Sequence, residues 1–544
     1  DALSNPQNPQ GGRAAADYRR FYRVYLREYA AFLNQEARHN GLEVPPVVNI
    51  HGFANGGKTF PIGLSQLVEV MESEGFISAT DVYPLFIGEG NFHQLLLVNE
   101  MTKALQNPQQ PLFSIEFQAG GNLDFGSGQS SFYDLHSRLC LSSGMRGLNH
   151  YLFFDGENDP ILSPVRRHDW GHPVRKDGSL RRHYARYPRL SRVLAAYGED
   201  LLLARPRVVT HVGFVLDDFM SEVQHPSERE QLEQITHQRE AVLFDQIGRG
   251  LALTQRPFAA VEVERGALDV QVMPTLWMMI ERRCPLAVQR KLVDYVRAGG
   301  RLILIGRLPV EDYDGRPAKL LIEELGIGNI HTFPPHETHE IAIFDEKRLP
   351  VRFLETCTGE FARSRTGEAV GWVKAIGQGK VMMLGAALPI SALEDLSVLD
   401  QMALMMGIPR LFELSDWVDV RLSEGENGRF LFVNNYQDDP IETAIWQEGQ
   451  VLFGGHAVRV GARRGLILPL EWQLEDGLIL HYLTTEVTEV RRGVDEIVLQ
   501  TEPPRFVAEL SLPPGWQVEG FMERQGDLRR LRLRGEGEVR LRRV

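Results

Sequence analysis

Helices and strands alternate four times over the first 155 residues, and this alternation restricts the fold more than any other property of the chain. Residues 15–40 carry aromatic and apolar side chains (Tyr18, Phe21, Tyr22, Tyr25, Leu26, Tyr29, Phe32, Leu33) at helical spacing, and Gly41 ends the run. Val44–Ile50 then reads as a buried strand, followed by the glycine loop Gly52–Gly57 and a helix near 62–74. A strand at Phe76–Thr80, a helix near 92–106, a strand at Leu112–Ile115, a helix near 130–143 and a strand at Gly147–Phe154 complete the series. Strands separated by helices pair in parallel, because the crossover leaves no room for a hairpin. Polar residues stand at the carboxyl end of every strand: Asn49, Asp81 with Tyr83, Glu116, and Asn149 with Tyr151. That is the layout of one half of a (β/α)8 barrel, strands five to eight, with its chemistry at the strands' carboxyl ends.

The rest of the chain has two textures. Val208–Leu216, Phe258–Val263, Asp269–Pro274 and Arg301–Ile305 read as strands that alternate with helices near 229–252, 286–298 and 317–325, with Gly379–Gly385 as a returning strand. This predicts a doubly wound α/β unit. From about residue 411, short alternating strands separated by turn residues predict antiparallel β structure. The expected class is therefore α/β, with units at 1–205, 206–405 and 406–544.

Composition narrows the function classes. A net charge of −13 spread over 544 residues argues against nucleic acid as the main partner. The basic C-terminal stretch (Arg529, Arg530, Arg532, Arg534, Arg540, Arg542, Arg543) alternates with Leu and Val and reads as a strand with one solvated face. Cys140, Cys284 and Cys357 are too widely spaced for a metal pattern or a disulfide framework. No apolar run has the length of a membrane span, so no membrane partner is expected, and the expected location is the cytoplasm. The chain opens on Asp1 rather than Met and runs through Asn5–Gly12, rich in Pro, Gln and Gly, which reads as the interior of a longer protein or a processed end.

Five segments carry a resemblance. Val44-Pro45-Pro46-Val47-Val48-Asn49, Thr80-Asp81-Val82-Tyr83-Pro84, Phe113-Ser114-Ile115-Glu116-Phe117-Gln118-Ala119-Gly120-Gly121 and Gly147-Leu148-Asn149-His150-Tyr151-Leu152-Phe153-Phe154-Asp155-Gly156-Glu157-Asn158 resemble, in order, strands five to eight of the β-galactosidases of glycoside hydrolase families 35 and 42. His168-Asp169-Trp170-Gly171-His172-Pro173 resembles the family 35 loop that follows. Asp155-Gly156-Glu157-Asn158 stands where these families have Gly-Gly-Thr-Asn, and His168 stands in place of a Tyr, which leaves the sugar open.

The resemblance implies a retaining glycoside hydrolase acting on a β-galactoside or related oligosaccharide, with Glu116 as nucleophile and no cofactor. Such enzymes use two carboxyl groups roughly 5–5.5 Å apart. The resemblance places the second, a Glu after an Asn, on strand four, ahead of residue 1, so the missing N-terminal half of the barrel is an expected partner, in the same chain or another. Asn99-Glu100 has the right dipeptide, yet 16 residues before Glu116 leave no room for the intervening units, and its surroundings read as helix. Asn49, Asp81 and Tyr83 are candidates for sugar hydroxyls or for hydrogen bonds that fix loops. Asn149 and Tyr151 are candidates for the pocket floor, and Trp170 for stacking on a sugar face or plain core packing. His168 and His172 lack metal-ligand spacing with a carboxylate, so no metal is expected. The resemblance further implies a glutamine-amidotransferase-like unit at 206–405, in which Cys284 lacks the strand-to-helix elbow of a nucleophile, an accessory β unit after it, and a homo-oligomer. Two rivals remain. Gly52–Thr59 matches GxxxxGK[ST], the signature of a nucleotide phosphate loop, without a convincing Walker B strand after it. In the other, the chain is a non-catalytic carbohydrate-binding or assembly subunit.

Overall fold

The computed structural model describes residues 9–54, 67–73, 75–119, 130–164, 166–168, 171–216, 236–312, 316–328, 330–333, 339–344, 347–351, 355–357, 361–527 and 530–544. Helix α1 (Pro9–His39) leads into β1 (Val47–Ala54), the short α2 (Val68–Met71), β2 (Ile77–Tyr83), α3 (Phe92–Leu105), β3 (Leu112–Gln118), α4 (Ser130–Ser142) and β4 (Met145–Tyr151), and α5 (Arg186–Leu203) closes this part. The four strands form a single sheet in chain order, β1-β2-β3-β4, parallel throughout. The first three predicted strands fell short at their carboxyl ends, and the fourth, expected to reach Phe154, ends at Tyr151. β2 runs on through Tyr83 and β3 through Gln118, so Asp81, Tyr83 and Glu116 sit within strands rather than after them.

Helix α3 explains the apolar run Leu95–Val98. It is buried on nearly every side, with the first sheet on one flank and the next part of the chain on the other. Such a helix reads as apolar all round. Helix α1 is the opposite: Tyr18, Phe21, Tyr25, Tyr29 and Phe32 are 43–58% exposed and form an aromatic stripe. Tyr22, Tyr25 and Tyr29 stack along it, at 6.1 and 6.4 Å between centroids.

Among the described residues a second sheet has nine strands. Five are parallel, in the spatial order Phe258–Glu262, Thr210–Phe214, Thr275–Ile280, Arg301–Gly306, Gly379–Leu384. Numbered along the chain, that order is 2-1-3-4-5, a doubly wound arrangement. Four antiparallel strands between His339 and Ile376 extend it on one side. The strand expected at Asp269–Pro274 lies instead at Thr275–Ile280. Val270 to Met273 form a turn held by Met273 N donating to Asp269 O at 2.8 Å, and the wholly buried run after Pro274 makes the central strand.

The third sheet is antiparallel, with long strands at Arg464–Glu475, Glu496–Ser511, Trp516–Asp527 and Arg530–Arg543. Arg205–Pro206, just after α5, pairs with Asp419–Glu424 at its edge. Its joint with the first part is a buried ionic knot. Arg138 of α4 meets Asp134 one turn earlier and donates to both carboxylate oxygens of Glu486 (2.8 and 3.0 Å). Beside it, Tyr197 of α5 donates to Ile467 O (2.6 Å) and accepts from Val487 N (3.1 Å). Among the described residues no helix is long and apolar enough to cross a membrane.

Candidate active site

Parallel pairing sets the site. In the register of β2 on β3, Asp81 is level with Glu116, and Tyr83 lies two residues on, on the same face of β2 as Asp81. The Tyr83 hydroxyl donates to Glu116 Oε2 at 2.7 Å, and Asn49 Nδ2, from β1, donates to Glu116 Oε1 at 3.0 Å. Each carboxylate oxygen therefore has its own donor, from two different strands, which fixes the plane of the group. Burial, then the hydrogen bond and the charge of Glu116, with Asp81 adding to it, hold the Tyr83 phenol far above its ordinary value. It stays a donor at every working pH. Tyr151, at the end of β4, meets the Tyr83 ring edge-on (6.3 Å between centroids, 88°).

Of the residues singled out in the sequence, the structure joins Asn49, Tyr83 and Glu116 directly and Tyr151 through Tyr83. Asp81 is buried beside them. Asn149 acts on the backbone instead. Its Nδ2 donates to Ile115 O at 3.0 Å, tying β4 to β3 one residue before Glu116. Trp170 lies outside the described residues. So do Asn55–Thr59 of the phosphate-loop match, whose first residues, Gly52–Ala54, end β1. Glu100 is buried in α3 and paired with Lys103 at 2.6 Å. Burial raises its carboxyl, and Lys103 works against that.

Several supports have no motif. Gln118 Oε1 accepts from Leu85 N (2.8 Å), strapping the end of β3 to the residue after Pro84. The Tyr187 hydroxyl of α5 donates to Ala119 O at 2.6 Å, three residues past Glu116. Behind the sheet, Phe117 packs on His136 (4.9 Å between centroids), and Tyr133 bonds His150 Nε2 at 2.8 Å. Burial pushes His136 down to about 3 and His150 down to about 4, so both rings are neutral and act as packing. Beyond β4, Asp155 is held by His172 Nδ1 and Arg181 Nη1, both at 2.8 Å, which folds the loop after β4 back on itself. The spacing of these residues, 17 and 26 apart, gives no periodic signal a reader of the sequence could use. Among the described residues no group of three or more His, Cys, Asp or Glu could hold a metal ion.

A carboxylate held in one plane by neutral donors, at the carboxyl end of parallel strands, can attack an electrophilic carbon without first shedding a counter-cation. Residues 226–358 match the family model described as GLMA-like, second domain. A β-1,2-glucosyltransferase of Ignavibacterium album is 24% identical over 449 residues, 78% of this chain and 62% of that protein. An exo-β-D-glucosaminidase of Thermococcus kodakarensis is 31% identical over 197 residues, 34% of this chain and 23% of that protein. The chain thus spans less than two thirds of these relatives. Among solved structures, the β-galactosidases of Bacillus circulans sp. alkalophilus (TM-score 0.65, 15% identity) and of a Rahnella species (TM-score 0.66, 14% identity) each cover 83% of this chain, which covers 67% of each of them. Across that 83% the chain has the fold of these two β-galactosidases.

Proposed function

We propose that this chain carries the nucleophile side of a retaining glycoside hydrolase of β-galactosidase type, with Glu116 as the attacking carboxylate. The observation that carries the reading is the pair of bonds from Asn49 and Tyr83 to the two oxygens of Glu116. In this reading the first sheet is strands five to eight of a (β/α)8 barrel, the second sheet belongs to an amidotransferase-like unit at 206–405, and the β-rich unit at 406–544 is accessory. Asn49, Asp81, Tyr83 and Tyr151 border the sugar pocket, Asn149 braces β4 against β3 at its floor, and Trp170 is the candidate for stacking on the sugar face. Glu116 forms the glycosyl ester, while a second carboxyl group, from the four strands that would close the barrel, protonates the leaving oxygen and then activates water.

The likeness to a glucosyltransferase favours a second outcome at the same site. A sugar hydroxyl in place of water would take the glycosyl group from Glu116 and make the reaction a transfer. With the four closing strands supplied, Glu116→Gln should lower turnover by several orders of magnitude while the circular dichroism spectrum is unchanged. Glu116→Gly with azide should restore turnover and yield the glycosyl azide of inverted configuration. Activity near wild type in Glu116→Gln would remove the nucleophile assignment. Analysis of products with and without an added sugar acceptor separates hydrolysis from transfer.

A further inference from the structure

The second sheet holds a polar cluster that the chemistry at Glu116 does not use. Its strand order, 2-1-3-4-5, reverses between Thr210–Phe214 and Thr275–Ile280. In open sheets of this kind, ligands settle outside the carboxyl ends of the strands around that reversal. Three charged residues collect on one side of it, at the carboxyl ends of the third, fourth and fifth strands. Glu281 follows Thr275–Ile280 and Arg307 follows Arg301–Gly306. Glu355 is tied to the end of Gly379–Leu384 by its backbone N donating to Gly385 O at 2.7 Å. Glu281 feels the charges of Arg307, Glu355 and Arg282.

The partners of the two acids differ. Glu355 is filled: Oε1 accepts from Leu308 N (2.7 Å) and Oε2 from the Thr332 hydroxyl (3.1 Å), and Arg282 Nη1 donates to the same Thr332 at 3.2 Å. Glu281 is half filled. Its Oε2 accepts from Arg282 N (2.9 Å), whereas Oε1 is buried with no hydrogen-bond partner among the described residues. The residue is only 5% exposed. A buried carboxyl oxygen without a donor is costly, and native proteins fill such positions with a partner or a ligand. The backbone beneath is closely fitted: Gly306 takes a φ of 135°, and a side chain there would strike Ile280 O and the Gln238 amide. That amide in turn donates to Ile280 O at 3.0 Å. The cluster holds two acids, Glu281 and Glu355, and two arginines, Arg282 and Arg307, so its formal charges balance.

We propose that Glu281, with Arg282, Arg307 and Glu355, is a second binding site, and that it takes a small neutral polyhydroxy ligand, a monosaccharide, with a sugar hydroxyl donating to Glu281 Oε1. A carboxyl group beside a guanidinium offers an acceptor and a donor to adjacent hydroxyls. The site is separate from Glu116 and does not depend on the activity assigned there.

Calorimetric titration of the whole chain with D-galactose and with D-glucose tests the proposal, repeated on Glu116→Ala, Glu281→Leu and Glu281→Gln. Saturable binding should survive Glu116→Ala and weaken at least tenfold in Glu281→Leu. Glu281→Gln, close in shape to the native residue, keeps the test open if the Leu variant does not fold, and should weaken binding in the same direction. The proposal is overturned if neither sugar binds up to tens of millimolar, or if binding is lost in Glu116→Ala and untouched by both Glu281 variants.

Discussion

At the scale of single residues, the site relies on neutral partners. Glu116 is held by an amide and a phenol, and the two histidines behind its strand are stripped of charge by burial. That has a consequence for acid stability. A histidine whose folded value lies below its unfolded value of about 6.5 supports the fold fully above that pH. The support is lost as pH falls from about 6.5 towards the folded value, because the unfolded chain takes up the proton first. For His136, at about 3 in the fold, the loss at pH 5 is about 2 kcal/mol at 1.36 kcal/mol per pH unit. His136→Phe keeps a ring against Phe117 and removes the titration. Its unfolding free energy, from urea titrations at pH 7 and pH 5, should fall by about 2 kcal/mol less than that of wild type over this range. An equal fall in both would mean that His136 is not buried neutral. The burial of Glu281, raised to about 7, acts with the opposite sign. Its contribution is greatest at low pH and lost as pH rises through 7, so the histidine effect is read as a difference between variants.

At the scale of elements, local pattern and tertiary contact part company. The alternation of helix and strand, the aromatic spacing of α1 and the residues Asn49, Tyr83 and Glu116 were legible because they follow from periodicity and from motifs a few residues long. The carboxyl ends of β2 and β3 were not, since a polar residue inside a strand reads as its end when its partner on the next strand is unknown. The length of the strands in the third sheet was not legible either, for a related reason: charged residues inside them read as turns until they are matched across strands, as Glu509 is by Arg530 and Arg532 and Glu523 by Arg534. The ionic knot was out of reach altogether, because Arg138 and Glu486 stand 348 residues apart. It can be tested by its asymmetry. Arg138→Met leaves Asp134 buried without its cation and Glu486 with only the longer contact to Arg189 (3.4 Å), and should cost about 3–5 kcal/mol. Removing the acids as well, in Asp134→Asn/Arg138→Met/Glu486→Leu, should recover most of that loss. Denaturant midpoints of the two variants decide it, and a triple variant no more stable than the single one would show that the knot is not limited by uncompensated charge.

At the scale of the whole molecule, two surfaces agree with the proposed reading. The first sheet ends in β1 on one side and β4 on the other, with no further strand paired to either among the described residues. Helix α1, just before β1, exposes its aromatic stripe on the surface. Unpaired strand edges and broad apolar faces are liabilities that folded proteins cover. Four further strands between β4 and β1 would pair both edges, supply the second carboxyl group and complete the pocket wall. Residues 1–544 alone should therefore hydrolyse unactivated aryl β-galactosides poorly, because protonation of the leaving group contributes roughly 10²–10⁴-fold. A dinitrophenyl galactoside needs little protonation, so slow covalent labelling of Glu116, seen by mass spectrometry of the peptide that contains it, should survive in the same chain. Supplying the complementary half, fused ahead of Asp1 or as a second chain, should restore turnover and protect the tyrosines of α1 from chemical iodination. An ordinary enzymatic rate from residues 1–544 without that half would place the acid within this chain, and the assignment of the second carboxyl group would then move to an acid near Glu116, with Asp81 the first to be replaced.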